Sequence, residues 1–334
     1  MKQRVVVYKK LPEHLVQRLQ AEFELTLFDR ITEDNRADFL AALKTADGMI
    51  GASLPITNAM LDGAPRLKIA STISVGVDNF DLDYFRQRGL MLAHTPGVLT
   101  EATADTIFAL ILATARRVVE LADYVKAGRW KGSIGEAQFG VNVHGKTLGL
   151  IGMGRIGSAV ARRARHGFGM SILYHNTRPN PEAERELGAR YVSRDALLSQ
   201  ADFVCLMLPL TPATERMFGA REFGLMKRSA IFINASRGRI VDEAALIAAL
   251  QENTIYGAGL ELRHRGIELV DRTAMGQQGD ADGFYVDDLD LHVHFPFRDA
   301  EYVTLVPGRP VGSTPELRRR LTEGAPEGAR KGFR

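Results

Sequence analysis

Short apolar runs of four or five residues alternate along most of this chain with longer stretches whose apolar positions recur at helical spacing. Val5-Val-Val-Tyr8 reads as a buried strand, and in Pro12 to Phe23 the residues Leu15, Leu19 and Phe23, with Val16 beside them, mark one face of a helix. A strand at Leu25–Phe28, a helix from about Asn35 to Lys44 and a strand at Gly48–Gly51 continue the alternation. Thr57 stands where it can cap a helix Asn58–Gly63, followed by a strand Leu67–Ala70, a helix Asp81–Arg88 and a strand Leu90–Ala93. This order predicts a doubly wound parallel sheet, so residues 1–99 read as a domain of their own.

From Thr100 to roughly Gly128 the pattern predicts one long helix, with Ala104, Ile107, Phe108, Ile111, Leu112 and Ala115 as a wide apolar face, connecting two domains. Trp130 to Asn142 is glycine-rich and irregular and reads as a surface arm. The alternation resumes with strands at Thr147–Ile151, Ser171–Tyr174, Phe203–Leu206, Ala230–Asn234 and Gly257–Leu260, so residues 100–262 form a second α/β domain. After Leu262 sustained periodicity is lost and the last residues are polar and rich in Gly and Arg, which predicts a poorly ordered tail over 263–334.

The centre of the second domain is Leu148-Gly-Leu-Ile-Gly-Met-Gly-Arg-Ile-Gly157, a strand running into a Gly-x-Gly-x-x-Gly turn that opens a helix. Gly152 allows the sharp turn, Gly154 lets backbone reach a pyrophosphate, and Gly157 lets the helix lie close on the strand. The N–H groups of Arg155 and Ile156 begin the helix, whose N-terminus favours phosphate. With a strand before and a second strand after, this is a dinucleotide site. NAD sites place Asp or Glu about twenty residues further on, to take the ribose hydroxyl. Here the stretch is Tyr174-His-Asn-Thr-Arg178, without a carboxylate. Asn176 and Arg178 suit a 2′-phosphate, which predicts NADP(H) in preference to NAD(H).

Composition narrows the class further. The chain has 334 residues, 45% of them apolar, and 43 basic against 40 acidic residues, so it carries no charge footprint for nucleic acid. No apolar run reaches membrane-spanning length and the N-terminal apolar stretch is too short for a signal peptide. The single cysteine, Cys205, lies in a buried strand and excludes a disulfide framework within the chain. The reducing cytoplasm is the expected home, and no metal site is expected.

Two further stretches carry chemistry. Asn234-Ala-Ser-Arg-Gly238 follows a buried strand, so Arg237 stands at a strand's carboxyl end, where open α/β sheets bind ligands. It can clamp a substrate carboxylate or carbonyl, or cap a neighbouring helix. Ser71-Thr-Ile-Ser-Val-Gly-Val-Asp-Asn79 places Val75 and Gly76 just after a strand, where successive N–H groups can make an anion nest or simply a turn.

Taken together, Ser74-Val-Gly-Val-Asp-Asn79, Gly152-Met-Gly-Arg-Ile-Gly157, Leu208-Pro-Leu-Thr-Pro212, Asn234-Ala-Ser-Arg-Gly238 and Gly257-Ala-Gly-Leu260 resemble the D-isomer-specific 2-hydroxyacid dehydrogenases. Within that family Tyr174-His-Asn-Thr-Arg178 is most similar to the bacterial glyoxylate/hydroxypyruvate/2-ketogluconate reductases. The resemblance runs to about Leu260. It implies a flavodoxin-like substrate domain and a Rossmann cofactor domain with a cleft between them, and a homodimer joined through the cofactor domains. It implies that Arg237 grips a small 2-oxo acid, that backbone around Val75 and Gly76 holds its carboxylate, and that NADPH reduces it to the D-2-hydroxy acid.

The family also uses a His that protonates the carbonyl oxygen and a Glu that keeps that His protonated. Its spacing would put the Glu at 266 and the His near 285, where this chain has Gly266 and Tyr285. His292 and His294 are the nearest imidazoles, and the stretch after Leu262 reads like translation in a shifted frame. A second expectation follows, a cofactor-binding relative with impaired catalysis. If the tail is foreign to the fold, the first domain also lacks its closing segment and exposes an apolar patch.

Overall fold

The computed structural model describes residues 2–260, which divide into two units, one through Glu101 and one from Ala102. The first unit alternates β1 (Arg4–Val7), α1 (Glu13–Glu22), β2 (Glu24–Leu27), α2 (Arg36–Leu43), β3 (Gly48–Gly51), α3 (Asn58–Asp62), β4 (Ile69–Thr72), α4 (Leu82–Gln87) and β5 (Met91–Ala93). Its five strands are all parallel, in the order β2-β1-β3-β4-β5, the doubly wound order of flavodoxin. Thr57 caps α3 as its position predicts, accepting from the Met60 N–H at 3.3 Å. β4 begins two residues later than the apolar pattern suggests, because buried Leu67 joins the core before the ladder starts.

Strand alternation separates the two faces of this sheet. Val6, Met49 and Ala70 pack with Phe39, Leu43, Met60, Leu61 and Phe85 of the helices on one side. On the other face the paired positions Val7, Leu27 and Ile50, and Ile69 and Met91, point away from that core. Leu27, Ile69 and Met91 are exposed there, whereas Val7 between them is buried.

The second unit begins with two helices, α5 (Thr100–Ala115) and α6 (Val118–Lys126), where the sequence pattern predicts one. The break falls where the later arm reaches back to the helix end. Val141 N–H takes the Ala115 carbonyl at 2.8 Å, and Arg117 adopts a left-handed backbone, φ 54°. Arg117 then donates to Glu120 and to the Ala137 carbonyl, tying the arm to the start of α6. There follow β6 (Thr147–Ile151), α7 (Arg155–Phe168), β7 (Ser171–His175), α8 (Pro181–Leu187), β8 (Arg190–Tyr191), α9 (Arg194–Gln200), β9 (Phe203–Leu206), α10 (Ala220–Leu225), β10 (Ile231–Asn234), α11 (Glu243–Gln251) and β11 (Gly257–Leu260).

These six strands are parallel, in the order β11-β10-β9-β6-β7-β8, the order of a dinucleotide-binding sheet. β6 shows why both faces are apolar. Leu148 and Leu150 join the core formed with Ile107, Ile111, Val160 and Ala164, while Ile151 joins Leu197, Phe223 and Leu246 on the opposite side. A strand buried on both faces is apolar throughout rather than alternating, which is how β6, β9 and β10 read.

Candidate active site

The parallel strands of the second unit bring the sequence-predicted groups to one sheet edge. The glycine turn leaves β6, Asn176–Arg178 leaves β7, Leu208–Pro212 leaves β9 and Arg237 follows β10. Val75 and Gly76 follow β4 of the first unit.

The turn is shaped by what its glycines lack. Gly152 has φ +110°, and a Cβ there would lie 2.5 Å from the Met207 carbonyl oxygen. A Cβ on Gly157 would lie 2.3 Å from the Gly152 carbonyl, so only glycine lets α7 come this close to the turn. Around Gly154 the side-chain direction is open, with nothing within 4 Å. The N–H groups of Gly154, Arg155 and Ile156 have no protein partner among the described residues, and no side chain caps α7. Gly154 and Arg155 are exposed. Open N–H groups and the positive end of a 14-residue helix therefore meet at one point.

Behind the turn, Gly152 N–H donates to the His175 carbonyl at 3.0 Å, and Met153 N–H to Asn176 Oδ1 at 2.7 Å. Tyr191 Oη donates to the Asn176 carbonyl at 3.0 Å, and the His175 ring lies stacked against Tyr191. Tyr174, fully buried, accepts from Asn180 N–H and donates to Glu184, both at 2.7 Å. Burial, reinforced by the Glu184 carboxylate, raises its phenol above the ordinary value. Asn176 thus spends its side-chain oxygen on the turn, leaving its Nδ2 as the atom without a protein partner among the described residues. Arg178 is exposed and makes no ion pair among them.

Buried Asn234 builds the turn that carries Arg237. Its Oδ1 accepts from Ser236 N–H at 3.0 Å and its Nδ2 donates to the Arg237 carbonyl at 3.2 Å. Ser236 Oγ accepts from Leu208 N–H at 2.9 Å, locking this turn to the loop after β9. Arg237 is half-buried, with Nη1 donating to the Ser236 carbonyl at 2.9 Å.

In the first unit the carbonyls of the loop after β4 are held. Ser74 Oγ donates to the Gly76 carbonyl at 2.6 Å and hydrogen-bonds Thr72 Oγ1 at 2.8 Å. His94 Nδ1 stands 3.0 Å from the Val75 carbonyl, which can only accept, so the ring donates. The Val75 and Gly76 N–H groups have no protein partner among the described residues. Carbonyls tied and amides open is the arrangement an anion needs.

Residues 108–264 match the family model described as D-isomer specific 2-hydroxyacid dehydrogenase, NAD binding domain. Over 262 residues the chain is 53% identical to glyoxylate/hydroxypyruvate reductase B of Yersinia enterocolitica, covering 78% of this chain and 80% of the relative. The chain belongs to the D-isomer specific 2-hydroxyacid dehydrogenase family.

As a member of that family it is an oxidoreductase with a nicotinamide-dinucleotide domain. Solved structures agree across both units. The TT0316 protein of Thermus thermophilus matches with 43% identity and TM-score 0.71, over 78% of this chain and 81% of that one. The NADPH-dependent glyoxylate/hydroxypyruvate reductase of Sinorhizobium meliloti, solved with NADP and malonate, matches with 30% identity and TM-score 0.69, over 83% and 84%. The open amides after β6 and the uncrowded space at Gly154 fit a dinucleotide pyrophosphate.

The expectations placed on Gly266, Tyr285, His292, His294 and the tail 263–334 lie outside the described residues. Among the described residues no group of His, Cys, Asp and Glu could hold a metal ion, and no helix is long and apolar enough to cross a membrane. Sequence reasoning missed His94, Asn180, Tyr191 and Ser236. For Asn180 a partial signal exists, since Asn before Pro181 is a helix-start signature. Its second partner, 27 residues away, leaves no local trace.

Proposed function

We propose that this chain reduces a small 2-oxo acid (glyoxylate, hydroxypyruvate or 2-ketogluconate) to the D-2-hydroxy acid, with NADPH as the preferred reductant. The observation that carries the cofactor half is the Met153–Asn176 hydrogen bond. It turns the Asn176 oxygen into the glycine turn, so an NH2 donor and Arg178, which makes no ion pair among the described residues, remain where a NAD site needs an acceptor. Donor and guanidinium both suit a 2′-phosphate. The substrate class is drawn from the glyoxylate/hydroxypyruvate reductases of Yersinia and Sinorhizobium, whose similarity spans both units.

In this reading the turn Gly152–Gly157 binds the pyrophosphate through the Gly154, Arg155 and Ile156 N–H groups. Bound there, NADPH would supply the hydride for the substrate carbonyl carbon and leave as NADP+, the carbonyl oxygen taking the balancing proton from water or an acid group. Arg237 grips the oxo acid by its carboxylate and carbonyl oxygens. The Val75 and Gly76 amides take the carboxylate, their carbonyls being held off by Ser74 and His94. We also propose a cytoplasmic homodimer joined through the second unit. Supporting that, α6 buries no residue, and Val118, Val125, Trp130, Ile134 and Phe139 of α6 and the arm are exposed.

The test is cofactor oxidation with each of the three acids. The proposal expects turnover with at least one, faster with NADPH than with NADH. Oxidation no faster than in the absence of acid contradicts it.

A further inference from the structure

Met153 sits between the first two glycines of the turn, and the segment after β7 holds both of its backbone polar atoms. Its N–H donates to Asn176 Oδ1 at 2.7 Å, and its carbonyl accepts from Asn180 Nδ2 at 3.1 Å. Asn180 is itself fixed at two points. Its Oδ1 accepts from Ala183 N–H at 3.1 Å as the N-cap of α8, which orients the amide so that Nδ2 faces Met153. Its own N–H donates to the buried Tyr174 hydroxyl, which in turn donates to Glu184 on α8.

The peptide unit joining Met153 to Gly154 is trans, so its carbonyl and its N–H point in opposite directions. Holding the Met153 carbonyl on Asn180 therefore sets the direction of the Gly154 N–H, one of the open donors of the turn. Gly154 has no side chain to restrain that peptide. Glycine tolerates the backbone angles on both sides of a flip, and the space around Gly154 is open. A flipped unit would present a carbonyl oxygen where a phosphate needs a donor.

We infer that Asn180 is a positioning residue for the dinucleotide, holding the Met153–Gly154 peptide so that the Gly154 N–H faces the pyrophosphate. The inference rests on the proposed reading of this turn as the pyrophosphate site. It concerns what NADPH and NADH share, so it is separate from discrimination at the ribose.

Asn180→Ser tests it. Serine keeps a capping oxygen for Ala183 N–H and adds no charge, but it is too short to reach the Met153 carbonyl. The full-length wild type and variant are titrated with NADPH and with NADH, following nicotinamide fluorescence, and their melting temperatures are compared. The expected result is a Kd about tenfold higher for both cofactors, the loss of one hydrogen bond, with melting unchanged. Asn180→Asp keeps the cap but sets a carboxylate against the Met153 carbonyl, and should weaken both cofactors further. Wild-type Kd values in Asn180→Ser, or a loss confined to one cofactor, would overturn the inference. A lower melting temperature with unchanged Kd would also overturn it, leaving Asn180 a helix cap only. A wild type that binds neither cofactor overturns the underlying reading as well.

Discussion

The carbonyl oxygen of Gly152 lies where a Cβ on Gly157 would come within 2.3 Å of it. Backbone cannot retreat there as a side-chain tip could, so Gly157→Ala must push α7 off the turn. Overpacking of this kind costs about 1–3 kcal/mol, read as a lower denaturant midpoint, and both cofactors should bind more weakly. Gly154→Ala makes the contrast. Its Cβ meets no protein atom within 4 Å, so stability should hold while cofactor binding falls. Equal stability losses in the two variants would contradict this account of the turn.

Cofactor choice should divide between neighbouring residues. Arg178→Ala should raise the NADPH Kd by about 10-fold or more, the worth of a charge-assisted hydrogen bond, and leave NADH nearly untouched. Asn176→Asp keeps an oxygen for Met153 N–H, so the turn stays braced, but it replaces the outward NH2 with an acceptor. It should shift preference toward NADH. Parallel losses for both cofactors in Arg178→Ala would refute the 2′-phosphate reading.

Tyr8 should make the protein sensitive to alkali. Its hydroxyl is buried without a partner among the described residues, and burial pushes its pKa up to about 12. The folded state therefore keeps this proton where the unfolded chain, titrating near 10, has lost it. The contribution is intact below about pH 10 and is lost as pH rises toward 12, at about 1.4 kcal/mol per pH unit. Tyr8→Phe should flatten that limb in urea titrations. At neutral pH it should be neutral or stabilising, because it removes an unsatisfied hydroxyl. A marked loss of stability at pH 7 would show that the hydroxyl has a partner after all.

Much of this was legible in sequence because it is local. The roles expected of Gly152 and Gly157 follow from the spacing of glycines between an apolar run and a helical one, and a Cβ on either would crowd neighbouring backbone. Strands buried on both faces announce themselves as unbroken apolar runs, as Phe203–Leu206 does. What escaped depends on partners far along the chain. The Asn176 oxygen is committed to Met153, 23 residues earlier, and the His94 ring to the Val75 carbonyl, 19 residues earlier. The expected long helix from Thr100 breaks because Val141 takes the Ala115 carbonyl, and no periodicity within the helix encodes that. The two-residue strand Arg190–Tyr191 is too short to carry a pattern.

The most direct measurement of the central claim is steady-state NADPH oxidation with glyoxylate, hydroxypyruvate and 2-ketogluconate by the wild type and by Arg237→Ala, alongside NADPH titrations of both. The turn that holds Arg237 is built by Asn234 and Ser236, so removing the guanidinium should leave the backbone in place. The account predicts turnover by the wild type. It predicts kcat/KM lower by on the order of 10²-fold in the variant, with NADPH affinity unchanged. A variant that turns over at the parent rate, or a wild type that binds NADPH and reduces none of the three acids, would contradict it.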